Sequence, residues 1–421
     1  MKNIIITLLS LAVALGATAG SFIVTPDHAR AQYQPYPDTL VAALTPPPAG
    51  YEPFHIEHYG RHGSRWLIDP KNYSVPVEEL SKAERAGVLT PLGADILAEL
   101  RAFQEASRGR LGELTPLGAD QHRRIARRMA ANFPEVITDS TVIDARSTVV
   151  IRCILSMLNA VGELRKAVPG ATVRTDASER DMWYMNHHDP EKNAITDSAR
   201  TRYYEPFAKR HLPSGEFLGR LISDKRFAAD SINLPALADN LMEVALNVGS
   251  TPEFEPMLTR IFSAAEINEA WLRANASWFL NGGNSALNNG RGAMVQRHLL
   301  RNMIESADTA FASLRPSANL RFGHETMVMS LAVLLNLGDY GAEHNDFDAL
   351  ASQWRAYEIF PMACNLQMIF YRRPGSTDPD DILVKFLLNE REMPVSGYGP
   401  GPYYRWAPMR DVLLRRANSI P

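Results

Sequence analysis

Cysteine is nearly missing from this chain: Cys153 and Cys364 are the only two in 421 residues. That excludes a disulfide framework of the kind that staples small exported domains. Both lie in apolar runs, 152-RCILSML-158 and 361-PMACNLQMIF-370, and read as small buried hydrophobes. An excess of positive charge is also absent. Lys and Arg number 44 against 47 Asp and Glu, a net charge of −3. No overall positive field invites nucleic acid, so an anionic ligand must meet a local basic pocket. Long apolar runs are missing as well. After the first residues no stretch is long enough to span a bilayer, and 327-MVMSLAVLLNL-337 reads as a core helix. Composition gives no sign of a disordered or fibrous chain. The Asn/Gly-rich stretch 281-NGGNSALNNGRG-292 lacks the Lys-Ser/Thr ending of a phosphate-binding P-loop and reads as a loop.

What is present begins with an export pattern. Lys2 precedes an apolar segment from Ile4 to Leu15, and Ala17-Thr18-Ala19 offers a small-x-small cleavage site. A second small-x-small triplet, Ala29-Arg30-Ala31, lies farther on. The expectation is a signal peptide over 1–19 and a periplasmic or secreted protein. Residues 20–50, rich in Pro, Ala and Gln, read as an N-terminal arm. Strand patterns follow at 53–59, 141–145, 318–322, 363–373 and 382–390. Helical patterns include 147–167, with Ser147 as its cap, and a long block from about 175. The stretch 89-LTPLGADI-96 is echoed at 114-LTPLGADQ-121, each copy reading as a Thr cap followed by Pro at the first helical position. Two copies do not make a repeat architecture. The pattern predicts an α/β fold, a mixed central sheet flanked by helices, carrying a helical cap insertion. Its first part would occupy 51–174, the cap 175–312 and its second part 313–421.

Reactive residue types gather at three strand-to-helix junctions. The first carries Arg61, His62 and Arg65; the second Arg146 and Arg152; the third His324 and Glu325. Ligands collect beyond the carboxyl ends of strands in open α/β sheets, so these groups are candidates for one pocket. Two arginines beside His62 disfavour its protonation, and a neutral imidazole is a nucleophile. The same guanidiniums suit a tetrahedral phosphoryl group, and Glu325 is an acid for the departing alkoxide. Arg146 reads as a structural ion-pair former. The run Asn186-His187-His188-Asp189 does not read as a metal site, because adjacent histidines point apart and no second ligand cluster has suitable spacing.

These motifs together resemble the histidine acid phosphatase branch of the histidine phosphatase superfamily. Arg61-His62-Gly63-Ser64-Arg65 is similar to its RHGxR motif, 146-RSTVVIRC-153 to its RSTxxxR segment, and 322-FGHET-326 to its distal motif. The second LTPLG copy with Gln121-His122 also resembles a family segment. The likeness is strongest to bacterial multiple inositol-polyphosphate phosphatases, through Arg152-Cys153 and a glutamate in the donor position. It implies His62 as nucleophile, Arg61, Arg65, Arg152 and His324 as phosphate ligands, and Glu325 as proton donor. It also implies a phosphohistidine intermediate, no metal or other cofactor, and a small phosphomonoester as partner. Inositol polyphosphates are the expected substrates, with sugar phosphates, or a phosphate-binding protein without turnover, as alternatives. The chain departs from the pattern twice. Glu325 follows His324 directly where the group reads His-Ala-Glu, and Leu67 stands where many members have Pro.

Overall fold

The computed structural model describes residues 23–40 and 43–419. The expected signal peptide lies outside the described residues. Eight strands form one mixed sheet: β1 (Glu52–Arg61), β2 (Val142–Ser147), β3 (Thr172–Ala177), β4 (Ser317–Gly323), β5 (Asn365–Arg372), β6 (Leu383–Leu388), β7 (Arg391–Glu392) and β8 (Tyr404–Arg405). The order is β3-β2-β4-β1-β5-β6-β7, with β8 beside β6. The first four strands in this order run parallel, and β1 meets β5 antiparallel. This is the mixed sheet expected. Strand β3 crosses the boundary expected at 174/175 and was not legible as a strand, since its side chains are largely exposed and charged.

Register fixes the functional end of the sheet. Arg61, the last residue of β1, lies opposite Gly323, the last of β4, while Ser147 at the end of β2 lies opposite Phe322. The segments leaving β1, β2 and β4 therefore start at one level. Helices α3 (Pro116–Asn132) and α4 (Ile151–Ala167) cover one face, packing Met129, Met157 and Leu164 on Ile143, Leu320 and Ile369. Helices α6 (Ala264–Gly282), α7 (Arg297–Phe311), α8 (Glu325–Leu334) and α9 (Trp406–Asn418) share the core of the opposite face.

A separate apolar core belongs to the helical layer. Helices α1 (Lys71–Arg85) and α2 (Pro91–Ala106) pack with α5 (Leu234–Asn247) through Leu80, Leu97, Phe103, Leu237 and Leu241. This layer thus draws on residues 71–106 as well as on the central block. The described part of the N-terminal arm packs against it, burying Val24, Ala29, Ala31 and Tyr33. Both alanines of the second small-x-small triplet are therefore part of the folded body. Ser147 does not cap α4. It remains in the sheet, paired on both sides, and donates its hydroxyl to Thr148 O at 2.8 Å. The cap position falls to Val150, which makes no side-chain cap bond.

Candidate active site

The loop after β1 is held by backbone packing. A Cβ on Gly63 would lie 2.3 Å from Gly118 O, so the loop and the first turn of α3 touch main chain to main chain. Ser64 O accepts from Thr115 N at 2.9 Å and from Thr115 Oγ1 at 3.1 Å. The Gln121 carboxamide brackets Ser64, accepting from its N–H at 2.9 Å and donating to its hydroxyl at 3.0 Å. Gly63 N donates to Ser156 Oγ at 3.1 Å. With His62 N donating to Gly323 O at 2.9 Å, the ring of His62 is presented by a backbone anchored at three consecutive residues, 62 to 64.

His62 is buried, and its Nδ1–H donates to Gly63 O at 2.9 Å. That bond fixes the tautomer and leaves the lone pair on Nε2. Burial, then the charges of Arg61, Arg152 and Arg65, hold its pKa well below the ordinary histidine value. The imidazole is neutral in the resting site. Arg61 is fully buried, with Nη1 donating to Gln32 O at 2.7 Å and Phe360 O at 3.1 Å. Among the described residues its Nη2 has no partner. The Nε atoms of Arg65 and Arg152 are likewise buried without partners, although Arg65 Nη1 donates to Trp66 O at 2.9 Å. Three guanidiniums with unused buried donors are a cradle for an anion.

At the end of β4, His324 takes an extended conformation as the residue before α8, and Glu325 is the first helical residue. The change of backbone direction turns both side chains into the cleft although they are adjacent in sequence. Glu325 Oε2 lies 3.0 Å from Arg61 Nε and 3.9 Å from His62 Nε2. The His62 and His324 rings meet edge to face with centroids 5.8 Å apart. Burial alone would raise the Glu325 pKa, but Arg61, His324 and Arg65 hold it down at about 2. His324 is depressed to about 4 by burial, against the pull of Glu325. Tyr59 braces this corner, accepting from His324 N at 3.3 Å and donating to Met185 O at 2.8 Å.

All six residues singled out from sequence thus border one cleft. His62, His324 and Glu325 place ligand atoms within 4.8 Å of one another, the spacing of a metal triad. The surrounding guanidiniums repel a cation, so the donor set suits an anion instead. Arg146 stands apart, ion-paired to Asp144 and Asp181. In the run 186–189, Asp189 caps the helix at 190–199, His188 bonds Asn193, and His187 packs on His298. Cys153 and Cys364 are both free and buried, and Cys153 donates to Gly323 O at 3.2 Å beneath His324. Sequence reasoning missed the supporting residues Ser156 and Tyr59. Ser156 had a usable signal, since it follows Arg152 by one helical turn and shares its face.

No family model and no curated protein matches the sequence. Solved structures do match the fold. Multiple inositol polyphosphate phosphatase from Bifidobacterium longum, in complex with inositol hexasulfate, gives a TM-score of 0.75 at 17% identity, covering 92% of this chain and 97% of that one. The phytase from D. castellii gives 0.64 at 15% identity, covering 93% and 86%. The phytase from Hafnia alvei gives 0.54 at 12% identity, covering 89% and 100%. The fold is that of the histidine acid phosphatases, as the sequence resemblance implied.

Proposed function

We propose that this chain is an exported phosphomonoesterase that hydrolyses inositol polyphosphates through a phosphohistidine. The observation that carries the reading is a neutral His62 with its free Nε2 lone pair inside three guanidiniums and 3.9 Å from a carboxylate oxygen. In this reading Nε2 attacks phosphorus in line, the N–P bond forms, and the P–O bond to the alcohol breaks. Arg61, Arg65, Arg152 and His324 hold the non-bridging oxygens, where charge must be stabilised. Glu325 is ionised in the resting site, so the proton must arrive with the substrate. A monoester monoanion supplies it: its phosphoryl oxygens take over the Arg61 donors, and its proton passes to Glu325. Glu325 then protonates the leaving alcohol. Its carboxylate next removes a proton from the water that opens phospho-His62, restoring the neutral imidazole, and that proton passes from Glu325 to the product, which leaves as the phosphate monoanion.

One feature favours the alternative of smaller substrates. Arg152 emerges beside Gly112 among exposed Ile68, Leu111 and Ile151, an apolar stretch of rim, and the neighbouring Arg110 is paired with Glu113. The test is phosphate release from inositol hexakisphosphate and from a sugar phosphate by wild-type protein, His62→Ala and Glu325→Gln. His62→Ala is expected to abolish turnover of both. Glu325→Gln is expected to slow alkyl phosphates by about 10²–10⁴-fold, as for loss of a general acid, and to spare esters with acidic leaving groups. Turnover by pure His62→Ala protein would remove His62 from the nucleophile role. Preference for the sugar phosphate would keep the mechanism and change the substrate.

A further inference from the structure

The segment before the sheet crosses from the helical layer to the sheet, and on the way it touches two of the three clamp arginines. At its start the segment is held by the two ends of α6, where Val24 N donates to Asn268 Oδ1 at 2.9 Å and Trp278 Nε1 donates to Gln32 Oε1 at 3.2 Å. On the sheet side Met362 N donates to Gln34 O at 2.8 Å, and Tyr36 Oη donates to the buried carboxylate of Glu390 at 2.9 Å. Between these anchors Gln32 O accepts from Arg61 Nη1 at 2.7 Å. The ring of the next residue, Tyr33, lies over the Arg65 guanidinium at 5.6 Å, and its hydroxyl is tied to Glu243 Oε2 at 2.6 Å.

Backbone conformation marks the same place. Ala31, immediately before Gln32, has φ +42°, and Ala363, whose N–H donates to His62 O, has φ +56°. Non-glycine residues hold the left-handed region only where their surroundings over-determine it. The turn at Ala31 delivers the Gln32 carbonyl to Arg61.

Resting on the reading of the cleft as a phosphate site, we propose that residues 23–38 are a positioning strap that presets the anion clamp. The Gln32 carbonyl orients Arg61, and the Tyr33 ring orients Arg65. With Nη1 of Arg61 occupied by two carbonyls, its unpartnered Nη2 is left for the ligand. Tyr33 does a second thing. It stands between Arg65 and the buried Glu243, so the guanidinium meets the Tyr33 ring and hydroxyl and not a competing carboxylate, and its Nε remains free among the described residues. Tyr33 is a positioning residue and takes no part in the chemistry.

The test is titration of the full exported chain with inorganic phosphate by calorimetry, with melting temperature recorded for each variant. Tyr33→Met keeps a buried apolar side chain and removes both the ring face and the tie to Glu243; Tyr33→Phe keeps the ring and removes the tie alone. Tyr33→Met is expected to bind phosphate about tenfold more weakly, the loss of one desolvated cation–π contact. Tyr33→Phe is expected to stay within about twofold of wild type, as a rescue by the ring alone. Tyr51→Phe, which removes a tie to Asp381 outside the strap, is expected to lower the melting temperature and leave affinity unchanged. In the Arg65→Ala background, Tyr33→Met should weaken binding no further. Wild-type affinity in Tyr33→Met, or a full additive loss beside Arg65→Ala, would overturn the strap. Wild-type affinity in Arg65→Ala would instead overturn the phosphate-site reading on which it rests.

Discussion

Two helices of this protein begin with the same seven residues, LTPLGAD, at 89–95 and 114–120. The structure uses them as one docking device in two places. In each, Thr caps the helix by accepting from the Gly N–H, and Pro takes the first turn. In each, the preceding Leu makes an isolated antiparallel bridge, Leu89 with Ile222 and Leu114 with Arg65. Thr90 N donates to Leu221 O, and Thr115 N donates to Ser64 O, both at 2.9 Å. A Cβ on Gly93 would stand 2.1 Å from Leu221 O, and one on Gly118 2.2 Å from Ser64 O. What differs is the segment received and the eighth residue. The first copy receives the end of the short helix Leu218–Leu221 and continues with Ile96, which enters the helical core. The second receives the loop that carries His62 and continues with Gln121, which grips Ser64. The same local chemistry therefore builds a structural joint in one place and a site support in the other.

The strongest way to break the comparison is to place a methyl in each joint. Both contacts are with backbone, so neither neighbour can swing aside, and each substitution is expected to destabilise by about 1–3 kcal/mol. Their effects on catalysis should diverge. Gly118→Ala pushes α3 from the loop that carries His62, and a displacement of about 1 Å there is expected to lower kcat about 10²-fold. Gly93→Ala shifts the end of the helix at 218–221, and folded protein should keep wild-type turnover. Steady-state kinetics corrected by active-site phosphate titration separate the two; equal losses of kcat would show that both joints serve the site.

A smaller effect comes from making the second copy into the first. Gln121→Ile deletes both bonds to Ser64 while preserving a helix-compatible, buried side chain. The Ser64 N–H would then be buried without its acceptor, costing about 1–3 kcal/mol. If Gln121 supports the loop, kcat falls while the fold survives by circular dichroism. Unchanged kinetics would assign loop positioning to Thr115 and Ser156 alone.

How much of this was legible follows the same division. The strands at 53–59 and 318–322 were readable from alternation, and the Thr-Pro starts from capping chemistry. The six cleft residues were readable because RHG, RST and GHE each sit where a strand gives way to a helix. The convergence itself depends on register, Arg61 against Gly323, which no local pattern encodes. The partners of the two echoes were hidden for the same reason. Leu221 and Ser64 are reached through long-range packing, and nothing in LTPLGAD distinguishes them. Strand β3 escaped because an exposed edge strand lacks apolar alternation. Ser147 misled because a hydroxyl before an apolar helix reads as a cap, whereas pairing on both sides retains it in β2.

The finest test of the comparison uses the two threonines. Removing an N-cap hydroxyl costs about 0.5–2 kcal/mol, so Thr90→Ala and Thr115→Ala should lower stability by similar amounts in chemical denaturation. Each hydroxyl also donates outward, Thr90 to Arg220 O and Thr115 to Ser64 O. Only the second bond bears on the loop that carries His62. Because Ser64 O keeps the Thr115 N–H, the expected change in Thr115→Ala is about a two- to tenfold fall in kcat, the size of one hydrogen bond of about 0.5–1.5 kcal/mol. Thr90→Ala should leave kcat unaltered at matched folded concentration. A matching fall in Thr90→Ala would mean that the 220–222 joint transmits to the cleft, and the two copies would then differ in address but not in purpose.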